Sequence, residues 1–123
     1  MSETTEKIVY ICTYGGEDPE RATFPFMLAN ASLAMDVEVT MVLQGNGVWL
    51  AKKDYALDVR GNGLPPLADL MQTFNELEGK IMVCTPCIKS RNIEEADLVA
   101  NARPVAGGAV NEALLAADAA VTY

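Results

Sequence analysis

Histidine is missing from all 123 residues. Its absence removes Ser-His-Asp and Cys-His catalysis, together with any histidine-ligated zinc or haem. Cysteine is scarce. Three thiols are too few for the disulfide scaffold of a small secreted domain, and they suit a reducing cytoplasm, which is the expected location. Basic residues are also in short supply: 9 Lys and Arg against 17 Asp and Glu leave a net charge of −8. No nucleic-acid partner is expected, because phosphate-backbone affinity comes from clustered Lys and Arg. No apolar run approaches the roughly 18 residues of a membrane span, and the polar, acidic start from Met1 to Glu6 gives no sign of a secretory signal. Catalysis, if present, must draw on thiol, carboxylate, amine or backbone groups.

What is present describes a folded domain. Half of the residues are hydrophobic and 21% are charged, which excludes a disordered chain. A chain of this length forms one domain, 1–123, able to bury about two-thirds of its unfolded surface, with residues 1–6 expected to be flexible. There is no internal repeat, low-complexity tract or linker.

Short β-branched runs alternate with helical patterns. Lys7 to Thr13 reads as a buried strand ending at Gly15-Gly16. Asp18 then caps a helix with Pro19 at its first position and Phe24, Met27, Leu28, Ala31, Ala34 and Met35 as its apolar face. Val37 to Leu43 is a second strand, stopped by Gln44-Gly45-Asn46-Gly47; Val48 to Ala51 starts a short helix, and Lys52 to Gly63 reads as an exposed loop. Pro65-Pro66 opens a helix facing inward with Leu67, Leu70, Met71, Phe74 and Leu77 and ending at Gly79 as a left-handed cap. Ile81 to Val83 is a strand that delivers Cys84. A short helix within Ile93 to Ala102, a short strand at Arg103 to Ala106, a small-residue helix from Gly107 to Ala117 and a strand from Ala119 to Tyr123 complete the chain. This alternation implies an α/β fold: a mainly parallel sheet of about five strands, helices on both faces in flavodoxin-like layering, and reactive groups beyond the carboxyl ends of the strands.

The strongest local signal is Cys84-Thr85-Pro86-Cys87, where a strand turns into a helix. Proline at 86 suits a first helical position and makes Thr85 the cap, so Cys84 faces helix amides that favour thiolate over thiol. Lys89 and Arg91 either add to that effect or remain solvated surface charges. Cys84 is read as a nucleophile, with a packed small hydrophobe as the alternative; Cys87 could resolve a disulfide, relay sulfur or pack. Cys12, inside the first strand, is read as core. A structural zinc would need a second ligand pair that the chain lacks, so no metal is expected. Gly15-Gly16 has neither GxGxxG nor a P-loop around it and reads as a turn, so no cofactor is expected. Glu17 and Asp18 read as helix-start residues, and Trp49 reads as core in preference to a subunit contact. Tyr14 and Tyr55 carry no role readable from the pattern.

The opening strand Lys7-Ile8-Val9-Tyr10-Ile11, the long first helix, the segment from Met82 through Cys84-Thr85-Pro86-Cys87 to Arg91-Asn92-Ile93, and the terminal Ala120-Val121-Thr122-Tyr123 together resemble the DsrE/DsrF-like family. The resemblance implies a small α/β sulfur-trafficking protein, a homotrimer or hexamer. It implies that Cys84 accepts sulfane sulfur as a persulfide and hands it to a partner thiol, such as that of a TusA-like or rhodanese-like carrier. Arg91 matches the family's arginine after the cysteine, and Asn92 replaces the usual glycine, whose left-handed conformation asparagine can adopt. The resulting expectation is a cytoplasmic sulfurtransferase or sulfur carrier, with Cys84 and Cys87 catalytic and Thr85, Lys89 and Arg91 on the substrate side. A CxxC dithiol oxidoreductase and a small-ligand or nucleotide-binding oligomeric module are the rivals. The apolar content, with six Met, also points to a homo-oligomer.

Overall fold

A computed structural model describes residues 5–123. Residues 1–4, most of the segment expected to be flexible, lie outside them; the Glu6 carbonyl already accepts the Glu38 amide at 2.9 Å. The strands are β1 (Lys7–Cys12), β2 (Glu38–Leu43), β3 (Lys80–Cys84), β4 (Ala102–Val105) and β5 (Ala119–Thr122). The helices are α1 (Pro19–Ala34), α2 (Leu67–Glu76), α3 (Thr85–Ser90) and α4 (Gly107–Ala116), with 3-10 segments at Gly45–Ala51, Tyr55–Asp58 and Glu95–Asp97. All five strands pair in parallel in the order β4-β3-β2-β1-β5.

That order decides where the helices go. From β1 to β4 the chain steps in one direction, so right-handed crossovers place α1 and α2 on one face; the return from β4 to β5 reverses direction and carries α4 to the other. Strand alternation follows. Tyr10, Cys12, Val39, Met41, Leu43, Ile81 and Val83 share a core with Phe26, Met71 and Phe74, whereas Val9 and Val42 face Val110 of α4. The two large helices meet through Phe26 and Phe74, whose rings pack edge to face at 5.3 Å. The α4 side is thinner: Val110 is the one buried residue of that helix, and Ile11, Met82 and Val105 stay half-buried beneath it.

Several local expectations change. Asp18 caps α1 as anticipated, its carboxylate accepting the Arg21 amide at 3.2 Å. The buried face of α1, however, is Ala22, Thr23, Pro25, Phe26 and Ala29, while Leu28 and Met35 are exposed and Phe24 and Met27 half-buried. Apolar residues occur all round this helix, and the side with small residues is the one that can lie close on the sheet. Pro25 inside α1 has no amide, so the Arg21 carbonyl loses its helical partner, and the Cys12 thiol approaches that oxygen at 3.9 Å.

The segment from Lys52 to Gly63 is not simply an exposed loop. It folds into the Tyr55–Asp58 turn, buries Val59 and stacks Tyr55 on Trp49 at 5.8 Å. Trp49 is accordingly half-buried against the core. The next helix ends differently too: Glu78 takes the left-handed conformation (φ 67), and its amide and that of Gly79 close back on Asn75 and Phe74 in a Schellman arrangement. Leu77 is exposed. Gly79 is required for space, because a Cβ there would overlap the fully buried Phe74 ring.

Chemical denaturation of two variants separates these roles. Gly79→Ala should lose about 1–3 kcal/mol through overpacking against Phe74. Glu78→Gly should hold or gain stability, since it relieves a left-handed L-residue. Equal losses in both would show that the glycine serves the cap and not the ring.

Candidate functional site

The parallel sheet sends the ends of β1, β2 and β3 to one edge of the molecule, and there the two half-buried cysteines lie. Cys84 is the last residue of β3, in register with Val105, and is itself the residue preceding α3. The expected cap does not form. Thr85 is the first helical residue, and its hydroxyl donates to the Val105 carbonyl at 2.9 Å, which fastens the start of α3 to β4.

One helical turn later, the Cys87 and Cys84 thiols share a hydrogen bond, with 2.6 Å between the two Sγ atoms. The Gly45 amide in turn donates to Cys87 Sγ at 3.3 Å. Gly45 can aim that amide because it sits at φ 55, a region in which glycine carries no steric penalty.

Arg91 ends α3 and reaches across the site. Its Nε and Nη2 donate to Asn46 Oδ1 at 3.2 and 3.0 Å, and its Nη1 donates to the Cys87 carbonyl at 3.1 Å. Asn46 Nδ2 donates to Glu17 Oε2 at 3.2 Å, and Glu17 Oε1 accepts the Gly15 amide at 3.0 Å. A Glu17–Asn46–Arg91 chain therefore joins the loops after β1 and β2 to the cysteine helix. Glu17 is part of this chain, not merely a helix-start residue. Tyr55 adds a further tie by accepting the Gly16 amide on its hydroxyl at 2.9 Å. Asn92 adopts φ 56, as the substitution for glycine required.

Lys89 is not brought in. It is exposed, and its ammonium makes no hydrogen bond or ion pair among the described residues. Of the sequence candidates the structure unites Cys84, Cys87 and Arg91, places Thr85 as a tether, and leaves Lys89 outside. The residues missed were Gly45, Asn46 and Glu17. The signal for the first two was available, since a Gly-Asn-Gly stop after a parallel strand must lie at the same sheet edge as Cys84.

The electrostatics also depart from expectation. The Cys84 thiol is pushed above its ordinary pKa, first by burial and then by sharing a hydrogen bond with the Cys87 thiol that favours its protonated form, while the Cys87 amide and the Arg91 charge pull it down. Cys12 is fully buried and held up at about 11 by desolvation. A separate cavity of about 230 Å³, lined by Leu50, Ala56, Leu57, Met71 and Val99 among others, contains neither site cysteine.

Alkylation across pH reads this balance. In Cys87→Ala, where Cys84 is the accessible thiol, the midpoint should fall from its wild-type position, and adding Arg91→Ala should raise it again. A midpoint indifferent to both changes contradicts the stated causes.

Comparison with known proteins gives the lineage. The DsrE/DsrF-like family matches residues 6–123. The uncharacterized protein MJ0989 of Methanocaldococcus jannaschii is 32% identical over 97 residues, covering 79% of this chain and 82% of that protein. A second uncharacterized protein of that organism, MJ0760, is 31% identical over 93 residues, 76% of this chain and 34% of its own length. Among solved structures, YchN of E. coli has a TM-score of 0.83 over 97% of this chain and 100% of that one, at 16% identity. MTH1491 of Methanobacterium thermoautotrophicum has a TM-score of 0.74 over 94% and 98%, at 12% identity. The structural likeness is one of fold, and the family match extends over nearly all of the sequence. The chain belongs to the DsrE/DsrF-like family.

Proposed function

We propose that the protein is a cytoplasmic sulfurtransferase or sulfur carrier that holds sulfane sulfur on Cys84 and passes it to a partner thiol. The observation that carries this reading is a pair of half-buried thiols at the strand ends, in mutual contact, with the Gly45 amide and the Arg91 guanidinium beside them. Loading is a displacement: the Cys84 thiolate attacks the outer sulfur of a donor persulfide, a Cys84 S–S bond forms, the donor S–S bond breaks, and the donor leaves as a thiol. Delivery repeats the step, with the partner thiolate attacking the outer sulfur and Cys84 regaining its proton. No net oxidation occurs in either half.

The raised pKa of Cys84 supports a resting thiol that is neutral and guarded, so loading accelerates as pH rises. The acceptor is a protein thiol of the TusA-like or rhodanese-like kind, and the net charge of −8 favours one with a basic face. The contact between the two sulfurs favours a second reading, a dithiol oxidoreductase in which Cys84 and Cys87 cycle through a disulfide.

Assembly belongs to the proposal. The thin α4 face and the exposed Leu115 (88%), Met35 (72%) and Leu57 (69%) support a homotrimer or hexamer that covers apolar surface. Light scattering should give a multiple of the chain mass; a monomer at micromolar concentration overturns this part.

The sulfur-holding role is tested with a polysulfide donor, gel filtration and intact-protein mass spectrometry. Cys87→Ser should gain the mass of one sulfur atom and lose it to added glutathione, whereas Cys84→Ser should not load. If Cys84→Ser loads as readily as Cys87→Ser, the assignment to Cys84 is wrong.

A further inference from the structure

We infer that Cys87 gives this site a second outcome: when no acceptor thiol arrives, it discharges the persulfide as hydrosulfide and leaves a Cys84–Cys87 disulfide. The inference rests on the persulfide reading above and adds a reaction to it. Its basis is which sulfur Cys87 can reach. Cys87 Sγ lies 2.6 Å from Cys84 Sγ, only about half an ångström beyond a disulfide bond. In a Cys84 persulfide that same atom becomes the inner sulfur, and the transferable outer sulfur lies one further S–S bond away. Cys87 is thus placed against the inner atom, and attack there expels the outer one.

Three attachments hold this placement. The Gly45 amide fixes Cys87 Sγ from the β2 side, Arg91 Nη1 fixes the Cys87 carbonyl, and the Thr85 hydroxyl fastens the first turn of α3 to β4. A relay, in which Cys87 takes the outer sulfur for itself, would require Cys87 Sγ to reach past the inner sulfur that it already touches.

The step balances. The Cys87 sulfur forms a bond to Cys84 Sγ as the bond from Cys84 Sγ to the outer sulfur breaks. The two cysteine sulfurs are oxidised to a disulfide, and the outer sulfur is reduced to hydrosulfide, which takes the proton Cys87 gives up. The oxidant is the sulfane sulfur itself, and a dithiol reductant restores the resting pair. Delivery to a partner and discharge to sulfide then compete, and the partner's concentration sets the ratio.

The test uses the full chain under argon, so that oxygen cannot form the disulfide. Wild-type protein and Cys87→Ser are exposed to polysulfide, freed of excess donor, and followed by sulfide assay and intact mass. Wild type should release sulfide equal to the sulfur loaded, at a rate independent of protein concentration, and finish lighter than the dithiol by two hydrogens. Cys87→Ser should keep its added sulfur over the same period. If wild type retains the sulfur as Cys87→Ser does, or releases it at a rate that climbs with protein concentration, the discharge inference fails while the persulfide reading stands. If neither protein takes up sulfur, the persulfide reading itself falls and the inference with it.

Discussion

Because β1, β2 and β3 are parallel neighbours, the loops that follow them leave the sheet at one end and within reach of one another. This constraint brings Glu17 to Asn46 across 29 positions of sequence and Asn46 to Arg91 across 45. An antiparallel neighbour would have sent one of the three loops to the opposite edge, and the hydrogen-bonded chain between them could not close. The two thiols depend on the same geometry, since the amide aimed at Cys87 comes from the turn that ends β2.

The site balances opposing influences. Arg91 supplies positive charge, but its guanidinium is already engaged by Asn46 and the Cys87 carbonyl, and Glu17 sits at the far side of Asn46. Its favourable effect on Cys84 is therefore smaller than the cost of burial and of the neighbouring thiol. The arrangement secures the position of the sulfurs more than it activates them.

Strands were the most legible feature of the sequence, because β-branched runs bounded by glycine have few alternatives; β1, β2 and β3 begin and end within a residue or two of expectation. Helix faces were less so. In α1 apolar residues surround the helix, and only proximity to the sheet selects Ala22 and Ala29 over Leu28 and Met35. Gly79 looked like a cap because caps favour glycine, yet the ring of Phe74, four residues before Gly79's neighbour Glu78, is what demands it. Of the site, the CxxC segment and Arg91 could be read directly. Asn46 and Glu17 could not, since they gain meaning only when separate loops meet, and Lys89 looked equivalent to Arg91 until the turn of α3 carried it to the outside.

Cys12 differs in kind from the other two cysteines. The proline in α1 frees the Arg21 carbonyl that its thiol approaches, and burial holds its proton far more tightly than in an ordinary cysteine. An intact chain accordingly answers a thiol reagent with the pair at the sheet edge and keeps the remaining sulfur hidden. The hidden sulfur becomes countable only when the core opens, so ordinary titration of sulfhydryls doubles as a gauge of whether the protein is still folded.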